Sequence, residues 1–278
     1  MKLVTFVEGD RGQRPGLVVD GGIIDLGAEG FRDSIAFMAA ATSVQADVAR
    51  SKPTVAMEKV RLVAPVTAPP RIFGIGVNYA EHAAESGTQV QQVPTVFVVL
   101  SSAVVGPGEN VILPKASEKV DYEAELAVVI GRAGYQIPAG AAMEHVFGYT
   151  IMNDVSARDV QRATTQWSLG KSFPTFAPMG PWVVSKDAVP DPHALGIRMT
   201  IGGERLQDSN TSFMIFRVPA LIEYISGITP LQVGDVISTG TPAGVGMGRT
   251  PQRWLKPGED MVIEIDGIGE LRNRTVAE

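Results

Sequence analysis

Asp121-Tyr122-Glu123-Ala124-Glu125-Leu126-Ala127-Val128-Val129-Ile130-Gly131 is the stretch on which the reading of this chain turns. Side chains alternate faces along a strand, so Glu123 and Glu125 project from one face, roughly 7 Å apart along the backbone. Left alone, two carboxylates sharing a low-dielectric site repel and one pKa rises; a divalent cation between them neutralises both. A half-exposed strand with an acidic face would also space two glutamates this way. The flanks argue against that alternative. Val120, Tyr122, Ala124 and Leu126 face one way, while Ala127 and Val129 continue the acidic side, so the carboxylates enter a buried stretch and need partners there. The pair is a candidate metal site.

Around it lies an ordinary globular composition. The 278 residues are enough for one large domain, or one large and one small. Hydrophobic residues make up 45% and charged residues 19%, yet no apolar run reaches the roughly 18 residues of a membrane span. The most apolar region, residues 93–105, is broken by Pro94, Thr95, Ser101 and Ser102. The start Met1-Lys2-Leu3-Val4-Thr5-Phe6 runs quickly into Glu8, Asp10 and Arg11, unlike a signal peptide, and a cytoplasmic location is expected. With no cysteine, disulfides, thiolate nucleophiles and iron-sulfur clusters are excluded. A net charge of -6 with no compensating basic run argues against nucleic acid, so a small molecule is the expected partner.

Turn signals divide the chain into a small N-terminal β-rich domain, residues 1–68, and a larger domain, residues 69–278. A helical stretch is expected over 31–52, and Pro65 to Arg71 is expected to be a linker. Beyond it strands predominate, with hairpins at Gly202-Gly203 and, as a two-residue turn, Asp266-Gly267. Helices are expected over 79–86, 157–166 and 217–226, the second opened by a capping box of Ser156 and Asp159. Strand and helix do not alternate regularly, which disfavours a Rossmann sheet or a parallel barrel. The class is α+β, mainly β.

Further candidate chemistry lies along the larger domain. Asp154, where a strand meets the capped helix, is either a cap or a ligand. Beside the glutamate pair ligation is favoured, since three carboxylates plus waters suit Mg2+ or Mn2+. His82 and Glu85, three apart, share a helix face, so the carboxylate can orient a general base; an exposed helix would space them identically. Lys171 follows glycine beside apolar residues and is either a surface lysine or a stabiliser of a developing oxyanion. In Thr239-Gly240-Thr241-Pro242-Ala243-Gly244-Val245-Gly246-Met247-Gly248 the glycines either make turns or let backbone amides and the Thr241 hydroxyl approach a ligand.

Taken in order, Gly76-Val77-Asn78-Tyr79 with His82, residues 121–131, residues 153–161, Gly170-Lys171-Ser172-Phe173 and Thr239-Gly240-Thr241-Pro242 resemble the fumarylacetoacetate hydrolase family over about residues 70–276. The resemblance implies a mixed β-sandwich roll catalytic domain and a homodimer. It implies one Mg2+ or Mn2+ per subunit on Glu123, Glu125 and Asp154, a water-activating pair in His82 and Glu85, and Lys171 at the oxyanion. It also implies substrate contacts from Tyr79, Arg158, Gln161 and Thr241, and a lid over residues 79–92. The expected activity is hydrolysis of a carbon-carbon bond in a 1,3-diketo compound or 2,4-diketo acid through a metal-stabilised enolate, in catabolism. The alternative is a 2-oxo acid decarboxylase, tautomerase, isomerase or dehydratase using the same enolate.

Two departures from the resemblance stand out. Many members carry a lysine where this chain has Val99, and acylpyruvase-like members carry an arginine where Val77 stands. If those cations hold a substrate carboxylate, this pocket is expected to take a less acidic compound than oxaloacetate.

Overall fold

The computed structural model describes residues 1–278. Its centre is a 12-stranded, mostly antiparallel sheet in which the strand Ala124–Ile130 lies between Val146–Asn153 and Val236–Ser238. Every residue of Ala124–Ile130 and of Val146–Asn153 is buried, which is why both read as near-continuous apolar runs rather than alternating ones. Beyond Val236–Ser238 the sheet continues through Ile72–Gly76 to an edge at Thr95–Val99. A second, five-stranded sheet has the order Glu204–Asn210, Gly196–Ile201, Asp260–Ile265, Gly269–Ala277, Asn110–Leu113. It packs on the central sheet through Ile197, Met199, Ile263 and Leu271, all in the main core.

The N-terminal strands extend this architecture. Lys2–Val7 pairs with Ala177–Ser185, so the small hairpin sheet of residues 1–25 continues the central sheet edge to edge. The helical stretch expected over 31–52 is two short helices, Ser34–Met38 and Thr42–Val48. Asp33 caps the first by accepting from the Ala36 amide at 2.7 Å.

Three expectations need correcting in detail. The helix expected over 157–166 is a single turn, Arg158–Gln161, because its neighbours recruit the capping residues. Ser156 donates to the Asp154 carbonyl, and the Asp159 carboxylate accepts from Ser117 and the Glu118 amide. The turn at Asp266-Gly267 holds three residues, since Ile265 pairs with Gly269. Gly202-Gly203 is the two-residue turn expected, with both glycines at positive φ. Finally, the helix Val218–Ile228 starts at Val218, whose amide donates to His193 Nε2 at 3.1 Å. That histidine, without assigned purpose in the sequence, caps a helix. No helix is long and apolar enough to cross a membrane.

Candidate active site

Glu123, Glu125 and Asp154 converge at one end of the two central strands, each offering a carboxylate oxygen within 4.8 Å of the others. Glu123 immediately precedes Ala124–Ile130, and Asp154 immediately follows Val146–Asn153. The antiparallel register pairs Ala124 with Asn153, which brings the two flanking acids together. The Asp154 amide donates to the Glu123 carbonyl at 3.0 Å, and Asn153 Oδ1 accepts from the Glu123 amide at 3.0 Å.

These buried acids are unequally compensated. Burial alone would raise Glu123, but the Arg158 guanidinium and Lys171 ammonium outweigh it and hold it at about 2. Lys171 Nζ lies 2.7 Å from Glu123 Oε2 and 2.6 Å from Asp154 Oδ2, and Arg158 Nη2 lies 2.5 Å from Glu123 Oε1. Asp154 is pushed up to about 6 by burial despite Lys171. Glu125 is raised well above the carboxylate range by burial and by the nearby Asp154 and Glu123, although Ser238 Oγ and the Gly240 amide donate to it. Asp154 Oδ1 is enclosed with no hydrogen-bond partner. Three oxygen donors with excess negative charge and an orphaned carboxylate oxygen fit a hard divalent cation. These residues can hold such an ion, with Lys171 completing the charge balance.

A cavity opens on this cluster. His82, Glu123, Glu125, Arg158, Gln161, Lys171 and Thr241 all line it, together with Val77, Phe97 and Trp167. His82 Nδ1 is 2.8 Å from Glu85 Oε1, while Glu85 Oε2 accepts from the Gly244 amide at 2.9 Å. His82 is therefore buried and the half-buried Glu85 is braced, rather than the two being spaced along an exposed helix. Lys171 is likewise buried, 2% exposed, where an ordinary surface lysine was the alternative. A Cβ on Gly170 would sit 2.6 Å from the Gln161 amide nitrogen, so only glycine lets the turn bearing Lys171 close on Arg158–Gln161.

Tyr79 does not line the cavity; it is buried in the core with its hydroxyl unpartnered. Arg158 reaches Asp121 through Nε at 2.9 Å, Gln161 through Nη1 at 3.0 Å and Glu123 through Nη2, so its guanidinium is engaged by protein groups. Val99 is buried off the cavity, whereas Val77 lines it at φ 56°, a conformation costly for a β-branched residue.

The sequence reading assigned no role to Asp121, Gln207 or Asn78. Asp121 accepts from Arg158, from its neighbour Tyr122 and from the Gly246 and Met247 amides. Gln207, from the second sheet, accepts from the Ala124 amide and donates to Thr241 Oγ1 and the Pro242 carbonyl. Asn78 ties the segment before the His82 helix to Thr239 and Phe216. The glycine-rich loop thus turns its Gly240, Gly244 and Gly246 amides to Glu125, Glu85 and Asp121, protein carboxylates rather than a ligand. Nothing in the local sequence marks Gln207, which stands among polar residues in Glu204-Arg205-Leu206-Gln207-Asp208-Ser209-Asn210.

Comparison with known proteins agrees with this geometry. The family model described as fumarylacetoacetate (FAA) hydrolase C-terminal matches residues 71–276. Oxaloacetate tautomerase FAHD2B, mitochondrial, of Bos taurus is 46% identical over 235 residues, 84% of this chain and 75% of that protein. Among solved structures, an HpcE protein from Mycobacterium smegmatis superposes with TM-score 0.92 at 38% identity, covering 100% of this chain and 99% of that one. Maleylpyruvate hydrolase from Sphingobium sp. SYK-6, in complex with manganese (II) ion and pyruvate, gives TM-score 0.84 at 29% identity, again over 100% and 99%. The motifs, the two packed sheets and the match over residues 71–276 lead to one assignment: the chain belongs to the fumarylacetoacetate hydrolase family.

Proposed function

We propose that this enzyme is a divalent-metal-dependent tautomerase or isomerase of a small 2-oxo acid, with Glu123, Glu125 and Asp154 holding Mg2+ or Mn2+. One observation carries the reading. The orphaned Asp154 oxygen and its two glutamate neighbours lie beside a cavity that His82 also lines, so a cation site and a base share one substrate space. Glu123, Glu125 and Asp154 would hold the ion, which would supply Lewis-acid polarisation of the 2-oxo group. His82 takes the proton from the adjacent carbon and returns it at oxygen or carbon, Glu85 fixing the ring through Nδ1. Thr241 and Gln161 contact the substrate from the cavity wall, with Arg158 and Lys171 keeping Glu123 ionised. The 46% identity to an oxaloacetate tautomerase supports this reaction class.

Hydrolytic carbon-carbon cleavage, the reaction expected from the sequence, is the second reading. The braced His82–Glu85 pair favours it, because it could take a proton from water as readily as from carbon. Against it stands Lys171, the expected oxyanion donor, whose ammonium is already shared between Glu123 and Asp154. The homodimer and the cytoplasmic location belong to the same proposal, the first tested by light scattering in solution. The reaction is tested by incubating the Mn2+-loaded enzyme with enolisable 2-oxo acids in D2O. Accelerated deuterium exchange at the carbon next to the oxo group, with no change in carbon skeleton, is expected. Two fragments, one carrying solvent oxygen, would transfer the assignment to the hydrolase; neither outcome with any 2-oxo acid removes both.

A further inference from the structure

Between the strand Ile72–Gly76 and the helix Ala80–Ser86 the chain makes one costly turn. Val77 stands there at φ 56°, and a β-branched residue in the left-handed region persists only where its surroundings over-determine it. The next residue supplies the hold. Asn78 is fully buried and uses both ends of its side-chain amide. Nδ2 donates to the Thr239 carbonyl at 2.7 Å and the Phe216 carbonyl at 3.0 Å, while Oδ1 accepts from the Phe216 amide at 2.7 Å. The Asn78 carbonyl accepts from the Ile215 amide at 2.8 Å. On the far side of these bonds lies the loop whose Gly240 amide donates to Glu125 and whose Thr241 lines the cavity. A Cβ on Gly240, itself at φ 96°, would lie 2.7 Å from the Asn78 Cβ, so the contact has no slack.

Resting on His82 as the base, we propose that Asn78 is a positioning residue: its side-chain amide holds the strained turn at Val77 and so fixes the His82 helix against the loop that supports Glu125. The helix has no side-chain N-cap and few supports beyond the Gly244 amide on Glu85, so its entry turn sets its direction. His82 follows Asn78 by four positions, about one helical turn, and a rotation at Val77 carries the imidazole with it. Without the Asn78 amide, Val77 relaxes toward negative φ and the base moves away from the carboxylate cluster. A buried asparagine that only supported the fold would be indifferent to the strain at Val77.

The test is a double-mutant cycle of Asn78→Ala and Val77→Gly in the Mn2+-loaded full chain, each compared with its own background. Asn78→Ala is expected to lower kcat for proton exchange of a 2-oxo acid about hundredfold with KM little changed, the scale of a misplaced reacting group. Amide hydrogen exchange over residues 80–86 should quicken about tenfold. Glycine adopts this φ without strain, so in the Val77→Gly background Asn78→Ala should cost kcat about tenfold or less. Asn78→Asp, which turns a carboxylate toward two carbonyl oxygens, should behave like Asn78→Ala. If Asn78→Ala does not fold, Asn78→Ser, which keeps one donor, carries the same comparison. A lowered melting temperature with kcat near the parent's, or an equal kcat loss in both backgrounds, overturns the proposal. Parent-like kcat in His82→Gln, with residues 80–86 still exchanging faster in Asn78→Ala, instead overturns the base and leaves the hold on the turn standing.

Discussion

The carboxylate cluster and the helix carrying His82 face the same cavity but are built differently. Each acid in the cluster is held by groups from separate elements: Glu123 by Arg158, Lys171 and Asn153; Glu125 by Ser238 and Gly240; Asp154 by Lys171. The helix Ala80–Ser86 has seven residues, no side-chain N-cap, and ends at Gly87 in the left-handed region. Residues 89–93 beyond it are all exposed. A helix this short has little stability of its own, and its active pair is braced from outside chiefly by the Gly244 amide on Glu85. The contrast teaches a division of labour. The cluster is held from several elements, which fixes its geometry, while His82, the proposed base, sits on a short helix with few supports from outside it.

The comparison breaks most severely at Glu123. Glu123→Ala leaves Arg158 and Lys171 buried beside a missing carboxylate, so about 3–5 kcal/mol of stability, together with Mn2+ affinity, should be lost. Turnover should fall beyond detection. Calorimetric Mn2+ titration and thermal unfolding check this, and a variant that binds Mn2+ like the parent removes Glu123 from the ligand set.

On the arm, His82→Gln should lower kcat by about 10²–10⁴ and leave Mn2+ affinity unchanged. Loss of metal affinity in that variant would mean the two regions are not independent. A subtler probe is Gly248→Ala, whose Cβ would meet Glu85 Oε2 at 2.6 Å. Glu85 must shift, and kcat should drop about tenfold with metal binding intact. A kcat equal to the parent's would show that the brace on Glu85 is not needed.

The smallest effect is in pH. Asp154, at about 6, and Glu125 both titrate above their unfolded values, because burial outweighs their partners. Between about pH 4 and 7 the metal-free fold holds protons that the unfolded chain has released, so its stability falls as pH rises. Glu123, held at about 2, works in the opposite sense, and its contribution is lost only as pH drops below about 4. The metal-free melting temperature should therefore fall by about 5 °C from pH 5 to pH 7. With Mn2+ the trend should reverse, since the ion binds the deprotonated acids. A flat metal-free profile would show that the cluster is relieved without a cation.

Much of the site was legible because its residues are chemically conspicuous where they stand. Glu123 and Glu125 at the head of an apolar strand, and Asp154 after another, are costly placements that a shared partner would relieve. His82 and Glu85 sit at helical spacing, and the helix is there. What the pattern did not disclose was the support. Asp121, Gln207 and Asn78 touch partners 30 or more positions away in sequence, and nothing local marks them. The same distance effect shortened the helix at Arg158, where Ser117 and Glu118 take the residue expected to cap it.

The sequence by itself determined the family, through its motifs, and marked a carboxylate pair in need of a partner, because buried carboxylates carry a desolvation cost visible in local pattern and spacing. Only the tertiary structure decided which groups share that charge. Coulomb and hydrogen-bond energies depend on distances across the fold, and those distances set Lys171 between two acids and committed Arg158 to the protein.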